Sequence, residues 1–208
     1  MSVRGWIIAA LYDRMGAASE REGLAARRRE LLADARGRVL EVGAGTGINL
    51  EHYGEGIEEL VLVEPERAMV RKLEQRLREV GRAARIVEAE AEALPFPDAS
   101  FDAVVCTLVL CNVADPQSAL REMRRVLRPG GSFLFLEHVR SDDPRTARLQ
   151  DRVNPAWRFV SNGCNCNRRT LSLIEASFSV DEVDQSEIPE ALRIVRPLVS
   201  GRAVASEA

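Results

Sequence analysis

The sequence is poor in lysine and contains no long apolar run. Lys72 is the only lysine among 29 basic residues, and the net charge is −3. The chain therefore lacks the concentrated positive charge typical of a nucleic-acid-binding protein. No apolar stretch approaches the roughly 20 residues that a transmembrane helix needs. With 46% apolar and 29% charged residues over 208 positions, the chain is expected to form one folded domain with a substantial core.

Cysteine is also scarce, with one pair at Cys106 and Cys111 and another at Cys164 and Cys166. Without a secretory signal peptide, we expect a cytoplasmic protein with free thiols. The second pair has no further cysteine or histidine pair near it in the sequence. Its spacing falls short of a four-ligand zinc pattern, so no metal site is expected. The first pair lies in an apolar stretch and is expected in the core.

Three closely spaced glycines follow an apolar run near residue 40. The run Arg38-Val-Leu-Glu-Val42 is typical of a buried parallel strand, and Gly43, Gly45 and Gly47 come directly after it. Glycine permits positive φ angles and lets a ligand approach the backbone closely. Exposed amide groups at the start of the next helix favour an anionic or polar ligand. The stretch therefore predicts a ligand-binding loop.

Two common nucleotide-binding loops do not match this glycine pattern. The dinucleotide fingerprint needs a glycine at the sixth place, which is Ile48 when counted from Gly43. A phosphate-binding loop needs Gly-Lys-Ser/Thr, and no lysine is near. Glu64 ends the next apolar run, where an acid can accept hydrogen bonds from both hydroxyls of a ribose.

The pattern Glu41-x-Gly43-x-Gly45-x-Gly47, followed by Glu64, resembles the first motifs of class I S-adenosylmethionine-dependent methyltransferases of the type 11 group. Two later segments extend this resemblance, namely Glu90-Ala-Glu-Ala-Leu-Pro-Phe-Pro97 and Leu127-Arg-Pro-Gly-Gly131. The resemblance implies S-adenosylmethionine as cofactor, S-adenosylhomocysteine as product and a small-molecule substrate.

The resemblance also implies roles for individual residues in cofactor binding. The glycines would let the backbone pass the methionine part, Glu41 would reach the cofactor amine and Glu64 would hold the ribose. Glu90 and the Ala91 N–H would bind the adenine. Four further cofactor candidates lie at the ends of predicted strands, namely Asn49, Pro65, Thr107 and Leu108. Tyr12 is also a candidate but does not lie at a strand end.

Within the type 11 group, several stretches look most like the membrane-associated alkyl-thiol methyltransferases. They are Val105–Cys111, Leu136–Val139, Asn154–Trp157 with Asn162–Cys164, and Val195–Pro197. This resemblance implies a small, apolar acceptor, with a thiol favoured over a phospholipid amine or a quinone precursor. A non-catalytic, cofactor-binding regulatory protein remains an alternative, as does a nicotinamide oxidoreductase.

Two expectations concern the acceptor side of the site. His138 ends a predicted strand and is the best candidate for a general base, because histidine titrates near neutral pH. A purely structural histidine is the competing interpretation. Asn154 and Trp157 are expected in the substrate pocket, because in this superfamily the insertion before the last strand builds that pocket.

Alternating apolar runs and helical periodicities predict an α/β fold in which helices cover both faces of a parallel sheet. The resemblance implies a three-layer, Rossmann-like arrangement of seven strands, mostly parallel, with an antiparallel last strand. We predict a helix over Met69–Val80 that Pro65 opens and Gly81 ends. A helical insertion is predicted over Asp143–Val160, broken at Asn154-Pro155. Pro197 favours an edge strand.

The N-terminal residues 1–36 are predicted to form a helical lid, and residues 37–208 the cofactor-binding domain. Ser19 and Glu22 form a capping-box pattern for a helix that ends near Ala35. The apolar segment Trp6–Tyr12 is expected to pack over the sheet or the cofactor mouth. The alternative is a peripheral membrane contact through Trp6. The arginine cluster Arg27–Arg29 is expected on a solvated helix face.

Overall fold

The computed structural model of the protein describes residues 20–161, 163–188 and 191–205. In this part of the chain, one sheet contains strands β1 Gly37–Val42, β2 Ile57–Val63, β3 Arg85–Val87, β4 Phe101–Thr107, β5 Leu127–His138, β6 Ser179–Glu187 and β7 Pro197–Val204. Their spatial order is β3-β2-β1-β4-β5-β7-β6. Strand β7 is antiparallel to both neighbours, and the other pairs are parallel. The predicted mostly parallel sheet with an antiparallel last strand is confirmed.

Helices cover both faces of the sheet, as predicted. They are α1 Ala25–Leu32, α2 Arg67–Val80, α3 Pro116–Val126, α4 Pro144–Val160 and α5 Thr170–Glu175. A helical turn, Glu20–Leu24, precedes α1, and short 3₁₀ turns span Ile48–Glu51 and Arg193–Val195. Within the described ranges, none of the helices combines the length and the apolar character required to cross a membrane.

Strand β1 lies inside the sheet between β2 and β4, and its side chains alternate between two cores. Leu40 packs in one core with Leu120 of α3. Val39 packs in the other with Leu32 of α1 and Leu73 of α2. Because successive side chains of a strand point to opposite faces, the sheet forms the middle of three layers. The carboxyl ends of β1, β2, β3, β4 and β5 then share one edge of the sheet.

Helix α2 is close to its prediction but begins differently. Gly81 ends it in a left-handed conformation with φ 71°, as the sequence indicates. Its first turn is capped by the carboxylate of Glu66, which accepts from the Ala68 N–H over 3.4 Å. Pro65 precedes this cap and lies outside the helix, so it does not occupy the first helical position that the sequence predicted for it.

Two expectations about prolines are wrong. Helix α4 continues through Pro155 without the predicted break. Pro155 is exposed, so its ring meets solvent on one side, and the Asp143 carboxylate secures the helix start by accepting from the Thr146 N–H over 2.8 Å. Pro197 lies in β7, which is enclosed by β5 and β6. The sheet tolerates it there because it is the first residue of the strand.

Residues 128–131 bulge out of the pairing between β5 and β4, because Leu127 pairs with Phe101 and Ser132 with Ala103. Gly130 lies in this bulge with φ 73°. The segment Leu127-Arg-Pro-Gly-Gly131 therefore forms an irregular start to β5.

Candidate active site

The glycine loop after β1 has the backbone conformation that only glycine adopts readily. Gly43, Gly45 and Gly47 have φ values of 71°, 57° and 83°. A Cβ atom on Gly43 would lie 2.4 Å from Val109, and one on Gly47 would lie 2.7 Å from Leu73. A Cβ atom on Gly45 would meet no atom within 4 Å. The outer two glycines are therefore required for packing, whereas the middle one faces open space that a ligand can approach.

Glu64 links this loop to the end of β2. Its Oε2 accepts from the Gly45 N–H and its Oε1 accepts from the Glu66 N–H, each over 2.9 Å. Burial raises the pKa of Glu64, and the two backbone hydrogen bonds oppose that effect. Each carboxylate oxygen still has a free lone pair. Glu64 therefore holds the loop in place and can accept two further hydrogen bonds from a ligand.

Glu41 is buried at the end of β1 within a network of polar side chains. It accepts from Nδ2 of Asn49 and from the hydroxyl of Tyr53, each over 2.8 Å. Burial raises the pKa of Glu41 to about 7, although both hydrogen bonds and the charge of Arg28 act in the opposite direction. The network fixes the strand end on which the glycine loop begins. Tyr53 had no predicted role.

Arg28 of α1 belongs to the same network, although the arginine cluster was predicted to lie on a solvated helix face. Its Nη1 donates to Oδ1 of Asn49 over 2.8 Å and to Oγ1 of Thr107 over 2.9 Å. It also forms an ion pair of 3.0 Å with Glu20, and it is only 4% exposed. The solvated-face prediction is therefore wrong for Arg28, while Arg27 beside it pairs with a surface aspartate.

The sequence contained a signal that could have identified Arg28. Leu24 and Leu32 are buried and lie four residues before and after it. Residues four apart share one face of a helix. Arg28 therefore lies on the apolar face of α1, where an arginine needs polar partners.

Most of the predicted cofactor residues lie along one edge of the sheet. Gly43 to Asn49 follow β1, Glu64 and Pro65 follow β2, and Glu90 and Ala91 follow β3. Thr107 ends β4 and Leu108 follows it. In open α/β sheets this edge is where ligands bind. Tyr12 lies outside the described residues.

The residues expected at the adenine differ in exposure. Glu90 is exposed and Ala91 is buried. The charge of Glu90 contributes to the raised pKa of Glu64, although burial is the larger cause. This arrangement keeps the Glu90 oxygens available to a ligand at the end of β3.

Glu137 of β5 fixes the loop after β4, a role that sequence reasoning missed. The fully buried carboxylate of Glu137 accepts from the N–H groups of Val109 and Leu110 over 2.8 and 2.9 Å. Burial raises its pKa to about 7. Leu108, at the start of the loop, has φ 58°, an unusual conformation for a side-chain-bearing residue. Val109 packs against Gly43, so Glu137 holds this loop against the glycine loop.

Cys111, His138 and Cys164 lie together beyond this loop. One side-chain ligand atom from each lies within 4.8 Å of the others. A hydrogen bond with Cys111 lowers the pKa of Cys164, and His138 acts in the same direction. The same interaction raises the pKa of Cys111. The three residues come from the loop after β4, the end of β5 and the loop after α4, which their spacing in the sequence does not reveal.

The two predicted substrate-pocket residues differ in their surroundings. The indole N–H of Trp157 is buried with no hydrogen-bond partner among the described residues, and it lies near enough to Cys164 to help lower its pKa. Asn154 accepts from the Cys166 N–H over 3.1 Å and donates to the side chain of Asn165 over 3.4 Å. Trp157 therefore borders the sulfur cluster, and Asn154 braces the loop that carries Cys164.

The sheet order, the glycine loop and the acid at the end of β2 define the S-adenosylmethionine-dependent methyltransferase class. The residues fit this cofactor because Gly45 leaves open space at the loop. Glu64 also retains acceptor capacity beside it. The methyltransferase domain family of type 11 matches residues 40–135.

Curated relatives and solved structures agree with that match. The chain is 34% identical to thiol S-methyltransferase TMT1A of Homo sapiens over 88% of this chain and 80% of that protein. It is 36% identical to thiol S-methyltransferase TMT1B of Rattus norvegicus over 80% and 70%. Its fold matches the N-methyltransferase NodS of Bradyrhizobium japonicum WM9, solved with S-adenosyl-L-homocysteine, with a TM-score of 0.65, 15% identity and coverage of 90% and 87%. The chain belongs to the type 11 family of S-adenosylmethionine-dependent methyltransferases.

Proposed function

We propose that the protein transfers a methyl group to the sulfur of a small, apolar thiol. The observation that carries this proposal is the similarity to thiol S-methyltransferases over most of the chain. The cluster of Cys111, His138 and Cys164 after β4 and β5 supports it, because it lies at the same edge of the sheet as the predicted cofactor residues. Methylation of a quinone precursor or of a phospholipid amine is the competing assignment, and it requires the same cofactor site.

S-Adenosylmethionine supplies a methyl group on a positively charged sulfur, so the protein needs to align the acceptor and provide little other chemistry. The acceptor sulfur forms a new bond to the methyl carbon while the old carbon–sulfur bond breaks. The electron pair of the broken bond stays on the sulfur of S-adenosylhomocysteine, and the thiol proton passes to a base and then to solvent. Glu64 holds the ribose, Glu90 and the Ala91 N–H bind the adenine, and Thr107 and Leu108 border the methionine part.

Arg28 connects the predicted lid to this assignment. Its guanidinium donates to Asn49 and Thr107, both of which are predicted cofactor residues. The charge of Arg28 is paired with Glu20, so its role is to position these two side chains. Under this proposal, the described part of the predicted lid, residues 20–36, acts on cofactor binding through them.

Two further roles remain predictions. The thiolate is the reactive form of a thiol, and His138 at the end of β5 is the residue predicted to remove the proton. The segment Trp6–Tyr12, predicted to pack over the sheet or the cofactor mouth with membrane contact as the alternative, lies outside the described ranges.

The proposal is tested by incubating the protein with isotopically labelled S-adenosylmethionine and three acceptors in parallel. The acceptors are an alkyl thiol, a quinol and phosphatidylethanolamine vesicles, and mass spectrometry identifies the methylated product. We expect a labelled thioether, and we expect Glu64→Ala to lose it while Glu66→Gln keeps it. Label on the quinol or the lipid alone would assign the acceptor differently. Tight S-adenosylhomocysteine binding with no methylated product would indicate a regulatory protein.

A further inference from the structure

We propose that Cys111, His138 and Cys164 bind one zinc ion whose fourth coordination position takes the sulfur of the acceptor. The acceptor part of this inference rests on the proposed thiol methyltransferase function, whereas the metal site itself does not. Each of the three side chains offers one ligand atom, and these atoms lie within 4.8 Å of one another. That separation is short enough for one ion to contact all three after small side-chain movements.

The chemistry of the three ligand atoms favours zinc over other metals. Two cysteine sulfurs and one imidazole nitrogen are soft ligands of the kind that zinc binds in proteins. Structural zinc sites usually have four protein ligands, whereas catalytic sites have three and keep one position open. Among the described residues, only these three histidine, cysteine and acidic side chains form such a group. A site with three ligands therefore fits an open, substrate-binding zinc ion.

Hydrogen bonds brace the segments that carry the ligands. The Cys111 carbonyl accepts from the backbone N–H of Asn165 over 2.8 Å and from its side-chain Nδ2 over 3.1 Å. The loop that contains Cys164 is thereby joined to the loop that contains Cys111. The His138 carbonyl accepts from the hydroxyl of Thr170 over 3.2 Å. These contacts fix the backbone segments from which the three ligand side chains extend.

The site lies next to the predicted position of the methionine part of the cofactor. The Cys111 sulfur is 3.7 Å from the Leu108 carbonyl oxygen, and Leu108 belongs to the loop that packs against Gly43. His138 is half-buried while both cysteines are buried, so a ligand can approach from the histidine side. The indole N–H of Trp157 is buried and lies beside the Cys164 sulfur, whose pKa it helps to lower.

The chemistry of binding is balanced without any redox change. A neutral thiol releases its proton to solvent as its sulfur bonds to zinc, and the ion remains Zn²⁺ throughout. The metal then stabilises the reactive anion that the methyl transfer needs. His138 acts as a zinc ligand under this proposal, and the general-base role predicted for it is not needed. The methylated product is a neutral thioether, a weaker ligand that can leave the metal.

Cobalt(II) titration of the metal-free protein tests the site, because cobalt replaces zinc and its absorption spectrum reports bound thiolates. We expect one equivalent to bind with a thiolate-to-cobalt charge-transfer band. We expect at least about tenfold weaker binding in Cys164→Ser and His138→Gln. Cys166→Ser is the matched control, because this buried cysteine lies two residues away and outside the cluster. It should bind cobalt like the wild type.

The acceptor role is tested in the same samples by adding an alkyl thiol, which should change the cobalt spectrum. Thioether formation is then measured with and without zinc.

Absence of stoichiometric binding, or equal affinities in Cys164→Ser and Cys166→Ser, would overturn the metal site. Equal methylation by metal-free and zinc-loaded protein would overturn the metal's role and leave the proposed function intact. Zinc binding in a protein that methylates no thiol would overturn the proposed function instead. Calorimetry with S-adenosylhomocysteine confirms that the cofactor site is intact in each sample.

Discussion

The amide N–H of Gly45 donates to the carboxylate of Glu64 over 2.9 Å. The glycine loop after β1 and the acid at the end of β2 are therefore one structural unit. Glu64 also accepts from the Glu66 N–H at the start of α2. A change in this carboxylate thus affects both the loop conformation and the ligand contacts, and experiments need to separate the two effects.

Replacing Glu64 by glutamine is expected to weaken binding of S-adenosylhomocysteine. Hydrogen bonds to a charged acceptor contribute about 1.5–3 kcal/mol each, so the loss of charge at two ribose contacts predicts at least about tenfold weaker binding. Isothermal titration calorimetry measures the dissociation constant. Glu66→Gln is the control, because Glu66 is exposed and caps α2. Equal dissociation constants in the two variants would contradict the ribose assignment.

Gly45→Ala is expected to affect the cofactor more than the fold. Gly45 and Gly81 both have positive φ angles and both have open space around the position of a Cβ atom. Alanine at either position should therefore lower the free energy of unfolding by about 1 kcal/mol through backbone strain. Only the methyl group at Gly45 should occupy ligand space and weaken binding by about tenfold or more.

Chemical denaturation and calorimetry on these two variants provide the comparison. Equal affinities of Gly45→Ala and Gly81→Ala for S-adenosylhomocysteine would contradict the assignment of the glycine loop to cofactor binding. Gly47→Ala should be the least stable of the three, since its Cβ atom would lie 2.7 Å from Leu73 and 2.8 Å from Leu50.

Replacing Arg28 by glutamine is expected to destabilise the protein and weaken cofactor binding. Removal of one partner from a buried ion pair leaves the other without compensation and costs about 3 kcal/mol. Glu20 is that partner, and Asn49 and Thr107 also lose a donor. Urea denaturation measures the change in the free energy of unfolding.

Arg27→Gln is the matched control for Arg28, because the two residues are adjacent on α1. Arg27 pairs with Asp184, whose side chain is 62% exposed. Exposed ion pairs contribute little to stability, roughly 0–1 kcal/mol. Similar effects of the two substitutions would contradict the assignment of Arg28 to the buried network.

The raised pKa of Glu41 predicts a specific dependence of stability on pH. Burial raises it from 4.5 to about 7 in the folded protein, so between these values the unfolded chain ionises first. Stability therefore falls as pH rises through this window, by about 3 kcal/mol. Glu41→Gln removes the contribution of Glu41 and should keep only the smaller decrease that Glu137, whose pKa is also raised to about 7, and Glu64 produce.

Urea denaturation of wild type and Glu41→Gln at pH 5 and at pH 8 measures this effect. The altered contacts with Asn49 and Tyr53 should destabilise the variant by the same amount at both pH values. Relative to the wild type, the free energy of unfolding of the variant should therefore be higher at pH 8 than at pH 5. A difference between the two proteins that is the same at both pH values would show that Glu41 does not carry the raised pKa.

Much of the fold and part of the site were predictable because their signals are local. Glu64 was identified because it ends an apolar run, and the ends of parallel strands meet at one edge. Tyr53 and Glu137 were missed because their importance comes from buried hydrogen bonds to distant segments. Trp157 was expected near the acceptor, but nothing in its neighbourhood along the chain indicated an unpartnered N–H.

The amino-acid sequence by itself determined the order of strands and helices, the glycine loop at Gly43–Gly47 and the acids that end β1 and β2. These features depend on side-chain periodicity and on backbone conformations that a few adjacent residues impose. Only the tertiary structure decided that Arg28 donates to Asn49 and Thr107 and that Cys111, His138 and Cys164 meet. Those contacts join segments up to dozens of residues apart, and their positions depend on how the whole sheet and its helices pack.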